Sequence, residues 1–383
     1  MRASRAENVI LFLHHRYRTA GGEEQAVDDL LWLVRTHLGE EAELLERDSA
    51  AVGRGRAAVG LVRGGLDPSD VAHAVRRTGA RIVHAHNLHP TLGWRALAAA
   101  REAGARVVLH LHQYRMVCAI GVCFRDGHEC LRCHGRNTLP GIALNCRGSR
   151  AEAAAYGVAL MTWQRRLAAQ ADAFVVPSHF AGQRLHALGA PLGPTFVLPH
   201  VIREFAAAPP SPGGKYALVV SRLAPEKGVG VAIEACRVAG VPLVVAGDGP
   251  ERARLATAAG AAGGTVRFTG RVSAQELAGL RREARVALVP SLSGETFGLA
   301  AAEAMAAGLP VAASRIGALP ELLPDTWLAR PGDARALADV MGRLSAEGND
   351  AGAQALMRVR SITAPDRVAP ALAAVYEHAM SGR

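Results

Sequence analysis

The stretch SGETFGLAAAEAMAAGLPVAASRIGALPELL, residues 293–323, follows a β-branched apolar run and holds a complete passage from strand to helix to strand. Val286–Ser291 reads as the first strand, Phe297-Gly298-Leu299 as a turn into an alanine-rich helix, and Pro310–Arg315 as the next strand. Two short apolar strands joined by a helix form the repeating unit of a parallel sheet covered by helices. Glycine before a helix start leaves backbone N–H groups pointing outward, which suits a phosphate without any side chain. Glu295 and Glu303, eight positions apart, flank that turn. Glu303 lies among apolar neighbours, where a carboxylate needs a partner such as a ribose diol. The plainer alternative has Glu295 capping the helix and Glu303 in a surface ion pair.

Outward from this stretch the same alternation covers the chain. Strand candidates in the first half are Asn8–His14, Ala42–Glu46, Arg81–His86, Arg106–His112, Ala173–Ser178 and Thr195–His200. In the second half they are Tyr216–Arg222, Pro242–Gly247, Thr265–Gly270, Val286–Ser291 and Pro310–Arg315. Ala206–Gly214, AAAPPSPGG, reads as a linker. The fold class is therefore α/β, with two Rossmann-like doubly wound domains, and 383 residues suit that number. We expect an N-terminal domain over 1–205 with an insertion at about 113–148, a C-terminal domain over 215–362, and a helix at 363–383 packing back on the first. Val27, Leu30, Leu31, Val34 and Leu38 form one helical apolar stripe, and Val368, Leu372, Val375 and Tyr376 another. In such sheets ligands bind beyond the carboxyl ends of the strands, and the cleft between the two domains is the expected site.

Composition narrows the function classes. Half the residues are hydrophobic and a fifth charged, which excludes intrinsic disorder. The charge is +10, from 44 Lys+Arg against 34 Asp+Glu, and the only lysines are Lys215 and Lys227. Residues 95–150 carry nine arginines against Glu102, Asp126 and Glu129. That excess suits phosphates or anionic lipid headgroups, giving peripheral contact with a membrane surface, or is simply dispersed arginine. Aromatics at 4% and the lack of a nucleic-acid motif argue against nucleic acid. The N-terminal MRASRAENVILFLHHRYR has too short an apolar run for a signal peptide, and Thr296–Ser314 is broken by Glu303 and a turn. A cytoplasmic protein is expected, peripheral at the inner membrane face if it meets a membrane.

A second signal is VVSRLAPEKGV, Val219–Val229, where Arg222 and Lys227 flank a Pro-Glu turn after a strand. A guanidinium fork and an ammonium point charge together suit a diphosphate. AGDGP at 246–250 makes a tight turn into a helix, and FTGRV at 268–272 offers backbone groups after the next strand.

These motifs, in this order, make the C-terminal half resemble a family 4 glycosyltransferase of the GT-B fold. The carriers are SRLAPEKG, AGDGP, FTGRV and ETFGLAAAE followed by AMAAGLPVAAS, over about 110 residues. The resemblance implies a retaining transferase that takes a sugar from a nucleoside-diphosphate sugar and requires no metal for catalysis. It assigns Arg222 and Lys227 to the diphosphate, Glu295 to the donor sugar and Glu303 to the ribose. Phe297, Gly298 and Leu299 supply backbone contacts, and Gly249, Arg271 and Val272 line the donor site. The N-terminal half is similar more loosely. In TAGGEEQAV at 19–27, Gly21 and Gly22 would let the backbone approach the donor phosphate, the alternative being a plain loop. RIVHAHN at 81–87 and VVLHLHQYR at 107–115 match strand ends that place a histidine near the donor sugar, here His112. Gln113 departs from the acidic residue or Asn usual there, and LPHVI at 198–202 replaces Pro-Asn-Gly.

Cys118, Cys123, Cys130, Cys133 and Cys146 crowd the insertion, with Cys236 apart. Cys130-x2-Cys133 is a usual half-site for tetrahedral metal. Cys118 and Cys146 would complete a structural Zn2+ site, with Cys123 spare and His128 or His134 as substitutes. A disulfide or free thiols, or an iron–sulfur cluster, are the alternatives.

The implied reaction moves a hexosyl unit to a hydroxyl acceptor in a front-face step, a covalent intermediate on Glu295 being the lesser variant. Domain closure about residues 203–214 would exclude water. A lipid-linked precursor of cell-surface polysaccharide or glycolipid is the expected acceptor, a small secondary metabolite the alternative. A sugar-phosphate phosphorylase, a nucleotide-sugar epimerase and a catalytically silent GT-B sugar-binding protein are the rival classes.

Overall fold

The computed structural model describes residues 9–17, 21–210, 213–261, 263 and 265–382. Expectations for residues 1–8, for Thr19 and Ala20 of the glycine loop and for Ser211 and Pro212 of the linker lie outside them. The chain divides into two compact units. One comprises the chain up to Cys123, Cys130–Val201 and the segment from Pro365; the other comprises Phe124–Glu129 and Ile202–Ala364.

The first unit holds β1 (Val9–Arg16), β2 (Glu41–Asp48), β3 (Ile82–Ala85) and β4 (Arg106–His110); along the chain these are followed by a short hairpin of β5 (Phe124–Arg125) and β6 (His128–Glu129), which groups with the second unit. β7 (Ala173–Val176) and β8 (Thr195–Val197) complete a parallel sheet of order β2-β1-β3-β4-β7-β8. On the inner strand β1, Ile10, Leu11, Phe12 and Leu13 are all at most 1% exposed, so both faces of the sheet are covered there, while the edge strand β2 is only partly buried. The helix Gly22–Leu33 turns Val27, Leu30 and Leu31 onto one face. The helix Pro365–Ser381 lays Val368, Leu372, Val375 and Tyr376 on that same face. The expected stripes are thus the buried ones.

The second unit has β9 (Tyr216–Val220), β10 (Leu243–Ala246), β11 (Val266–Gly270), β12 (Ala284–Val289), β13 (Val311–Ser314) and β14 (Leu328–Ala329), all parallel. Their order, β11-β10-β9-β12-β13-β14, is the doubly wound arrangement with a switch point between β9 and β12. The helix Leu299–Ala306 buries Ala301, Ala302, Ala304 and Met305, and the small alanine side chains let the helix Asn349–Thr363 approach closely. Two details differ from the sequence reading. The units divide at Val201 and Ile202 because Ile202 N–H bonds to Thr363 O at 3.0 Å and Arg360 stacks on Phe205. Within the insertion expected at about 113–148 of the first domain, the β5–β6 hairpin groups with the second unit. Among the described residues no helix is long and apolar enough to cross a membrane.

Candidate functional site

In the second unit the loops that follow β9, β10, β12 and β13 converge on Glu295. Leu223 N–H bonds to Asp248 O at 2.9 Å and Leu292 N–H to Glu226 O at 2.8 Å, tying three of them together. Gly249 packs so closely that an added Cβ would lie 2.3 Å from Leu223 O, so this glycine, predicted to line the donor site, first of all lets two loops touch. Gly317, after β13, has φ +64° and would put a Cβ 2.3 Å from Glu295 N, while Ala318 N–H bonds to Glu295 O at 2.9 Å. The Glu295 backbone is therefore clamped from the far side.

This clamping aims the Glu295 carboxylate at Lys227, whose Nζ donates to Oε1 at 2.7 Å, and at Ser291, whose Oγ donates to the same oxygen at 2.5 Å. Burial pushes the Glu295 carboxyl up, but the Lys227 ammonium and its hydrogen bond, then Ser291 and Arg222, outweigh it and leave the carboxyl below its ordinary range. The group is an anion at neutral pH. Arg222 pairs with buried Glu226 and keeps about half of its side chain exposed (53%), so the guanidinium can still meet a ligand. Gly298, at φ +96°, caps the helix Leu299–Ala306, its carbonyl accepting from Ala301 N–H at 2.9 Å and Ala302 N–H at 3.0 Å, so that the N–H groups of the helix start ahead of these are the ones placed to meet a ligand. Phe297 is only 5% exposed, which leaves its backbone as the part able to meet a ligand. Arg271 is exposed and Val272 half-buried beyond β11.

Glu303 has a partner that sequence did not reveal. Arg281 Nη2 donates to Glu303 Oε2 at 2.6 Å, with side chains 15% and 30% exposed. The ion-pair alternative for Glu303 is thus the arrangement seen. The helix-cap alternative for Glu295 is not, since Gly298 holds that position.

In the first unit the chemistry lies on the sheet face itself. Phe12 on β1 is paired with His84 on β3, and His84 with Val108 on β4. Side chains alternate along a strand, so His84 and His86, and His110 and His112, all rise from this one face. They form a stack: ring centroids lie 4.6 Å apart for His84 and His86, 5.1 Å for His86 and His112, and 4.1 Å for His110 and His112. His200 stacks on His112 at 5.4 Å. His86 Nδ1 and His112 Nε2 share a hydrogen bond of 2.8 Å, and His84 Nδ1 meets Tyr376 Oη at 2.9 Å. Burial holds His84 down at about 3 and His200 at about 4; it also drives His86, His110 and His112 well below the usual range, with neighbouring histidines adding to the effect. All are neutral at pH 7. The HAH and HLH patterns carried this signal, because histidines two apart on neighbouring strands must share a face.

A pocket of about 750 Å³ opens beside the end of this stack. Leu61, Trp94, Trp163 and Leu160 form its apolar wall; His86, His112, Gln113, Arg115, Glu23 and Tyr17 form its polar end. Gln113, at the position where the resemblance expected an acid or Asn, donates Nε2–H to Glu23 Oε2 at 2.9 Å, and Tyr17 Oη donates to that oxygen at 3.1 Å. Glu23, which sequence reading passed over, is raised by burial against the opposing pull of His14 and Arg115. Gly21 is extended at φ −146°, and its N–H is taken by Glu24 Oε2 at 2.7 Å; Gly22 opens the helix behind it.

Among the described residues no disulfide joins any two of the six cysteines. Cys123 is not a bystander: its hydrogen bond is the main reason that Cys118 falls to about 6. Burial raises Cys133, and Cys118, Cys146 and Cys130 add to that, but among the described residues no three of the predicted ligand sulfurs lie within 4.8 Å of one another. Several arginines of the basic stretch are held internally: Arg101 and Arg106 by Asp172, Arg147 by Glu152 and over the Tyr156 ring, Arg136 by Met161 O. The net charge remains, but their guanidinium groups are engaged within the chain.

Comparison with known proteins bears on both units. Residues 2–200 match the family described as glycosyl transferase 4-like domain, and residues 214–347 that described as glycosyl transferases group 1. The chain is 38% identical over 143 residues to the amylovoran biosynthesis glycosyltransferase AmsK of Erwinia amylovora, covering 33% of this chain and 35% of that protein. It is 38% identical over 173 residues to the GDP-mannose-dependent alpha-(1-6)-phosphatidylinositol dimannoside mannosyltransferase of Mycobacterium tuberculosis, covering 41% and 45%. These matches span about a third to a half of the relatives' lengths. In fold it is similar to the sucrose-phosphate synthase of Thermosynechococcus elongatus, with a TM-score of 0.70 at 19% identity over 98% of this chain and 100% of that one. With the 4-like domain matching over half of its residues and the group 1 domain most of the rest, the chain belongs to the family 4 type of glycosyltransferases, with the GT-B fold.

Proposed function

We propose that the protein transfers a sugar from a nucleoside-diphosphate sugar to a hydroxyl acceptor, with retention at the anomeric carbon. The observation that carries this reading is the Lys227–Glu295 pair at 2.7 Å, set at the carboxyl ends of β9 and β12 just before the helix N-terminus at Gly298. Lys227, Arg222 and the positive N-terminal end of that helix would take up the negative charge that grows on the diphosphate as its bond to the sugar breaks. Glu295, anionic and fixed by Gly317, is suited to hold the sugar hydroxyls. The acceptor oxygen bonds to the anomeric carbon on the face that the diphosphate leaves, and its proton passes to the departing phosphate oxygen. Glu303 would bind the ribose diol by exchanging its contact with Arg281.

The pocket of the first unit is the acceptor site in this reading. Its tryptophan and leucine wall suits an apolar carrier, and Glu23, Gln113 and His112 suit the sugar or hydroxyl end. A lipid-linked acceptor, met at a membrane surface, fits this better than a small polar metabolite. The M. tuberculosis relative is named for a phosphatidylinositol dimannoside, which is consistent with it. We also propose that Cys118, Cys130, Cys133 and Cys146 hold a structural Zn2+ that shapes the insertion; no metal is invoked in the transfer. Purified protein with a panel of nucleotide sugars tests the main reading. The expected result is thermal stabilisation and slow nucleotide release with one donor, faster with a lipid-linked acceptor. No shift and no release with any donor would sink it.

A further inference from the structure

We propose that His84, His86 and His110 form a buried three-imidazole site for a divalent first-row transition metal, distinct from the cysteine cluster and from the transfer chemistry. One ring nitrogen from each lies within 4.8 Å of the other two, and among the described residues this is the trio of candidate ligands so gathered. The three rings are 0%, 3% and 2% exposed.

Their nitrogens are left over in a telling way. His84 Nε2, His86 Nε2 and both ring nitrogens of His110 are buried without a hydrogen-bond partner. The Nδ1 atoms of His84 and His86 are each held, by Tyr376 Oη at 2.9 Å and His112 Nε2 at 2.8 Å. A metal-binding histidine has this arrangement, one nitrogen for the ion and the other fixed by an outer hydrogen bond that orients the ring. Had the sheet needed only packing, phenylalanine would serve, as Phe12 does opposite His84 on the same face. An imidazole with idle nitrogens there is the costlier choice. The rings are also neutral at pH 7, the form that binds metal.

Coordination to one tetrahedral ion needs nitrogens about 3.3 Å apart, so the rings must close in, which rotation about the soft outer torsion of histidine can supply. Three neutral imidazoles with no thiolate and an open fourth position favour zinc, cobalt or copper over calcium or magnesium. Metal on His86 Nε2 would place the His86 proton on Nδ1. His112 Nε2 would then be the acceptor, with its own proton on Nδ1. The ion would thereby set the tautomer of the residue at the pocket's edge.

The experiment uses the full, untagged chain, stripped with chelator and titrated with Zn2+ and Co2+, with X-ray absorption read on the zinc form. Expected is at least one equivalent bound through nitrogen and oxygen only, at about 2.0 Å. His110→Phe should remove that equivalent and weaken Zn2+ binding at least 100-fold, with His84→Phe doing the same. Circular dichroism reports whether each variant is folded. The proposal is overturned if uptake is unchanged in folded His110→Phe or His84→Phe. It is equally overturned if the unaltered chain takes up no metal, or if its only shell is sulfur at about 2.3 Å, which would place all metal on the cysteines. The absorption measurement on the unaltered chain decides even if both variants fail to fold.

Discussion

The two units have the same plan, a six-stranded parallel sheet between helices, yet they keep their polar chemistry in different places. Residues 202–364 contain no histidine and both lysines; the chain before them contains no lysine and fourteen of the fifteen histidines. In the second unit the inner strands are largely apolar, as in Leu243–Ala246, and apart from Arg267 and Arg285 the charged groups stand in the helices and loops around them. In the first, five stacked histidines occupy the face and carboxyl edge of the sheet. The difference follows from what each group loses on burial. A neutral imidazole can enter a core at modest cost, whereas an ammonium or carboxylate needs a partner and access to water. Lys227 and Glu295 have both, being 29% and 17% exposed.

Breaking the charged pair should have the largest effect. Lys227→Ala or Glu295→Gln is expected to lower the turnover of donor about 10²- to 10³-fold, the range for removing one electrostatic stabiliser, with little change in the folding of the first unit. Steady-state kinetics beside thermal unfolding checks it, and a drop under threefold would mean that the pair is only structural. Next in size is the other unit's counterpart. His112→Ala should reduce turnover about 10²-fold while donor affinity measured by calorimetry stays within a factor of three. Equal losses in both would instead make His112 a donor-binding residue.

Acid separates the units without mutation. His84, His89 and His200 are held at about 3, 3 and 4, far below the ordinary 6.5. The unfolded chain therefore binds protons first as pH falls below 6.5, and the stability these groups contribute at pH 7 is lost progressively down to their folded values. Each should cost about 1–2 kcal/mol by pH 5. The depressed Glu295 carboxyl acts later, its contribution being lost only below its unfolded value near 4.5. Hydrogen exchange at pH 7 and pH 5 should show the first unit opening while the second keeps its protection; equal loss in both would break the contrast. The smallest expected change belongs to the second unit's outer pair. Glu303→Ala should weaken nucleotide-sugar binding about tenfold, roughly 1.4 kcal/mol. Unchanged affinity would leave Glu303 as no more than the partner of Arg281.

Several of these features were open to inspection in the sequence. Alternation of apolar runs with helical stripes placed eleven strands, each within a few residues of the observed one. The short hairpin and β14, two residues each, lack the length that makes a pattern legible. Arg222, Lys227, Glu295 and Gly298 were legible because they stand just after strands, where a doubly wound sheet exposes its ligands. Arg281 was not: its contact with Glu303 joins residues 22 apart, and no local pattern marks such a pair. Glu23 and Tyr17 reach Gln113 across about 90 residues, for the same reason.

By itself the sequence determined the period of every major element, the glycines at the loop crossings and the few residues able to carry charge at strand ends, because these depend on neighbours along the chain. Only the tertiary structure decided the partners. Strand order put HAH beside HLH and so turned two separate strand-end patterns into one buried stack. Gly317 met Glu295 through a close approach that no local propensity encodes. Contacts of this kind arise from packing in three dimensions, where what a residue touches is set by the sheet's order and not by its place in the chain.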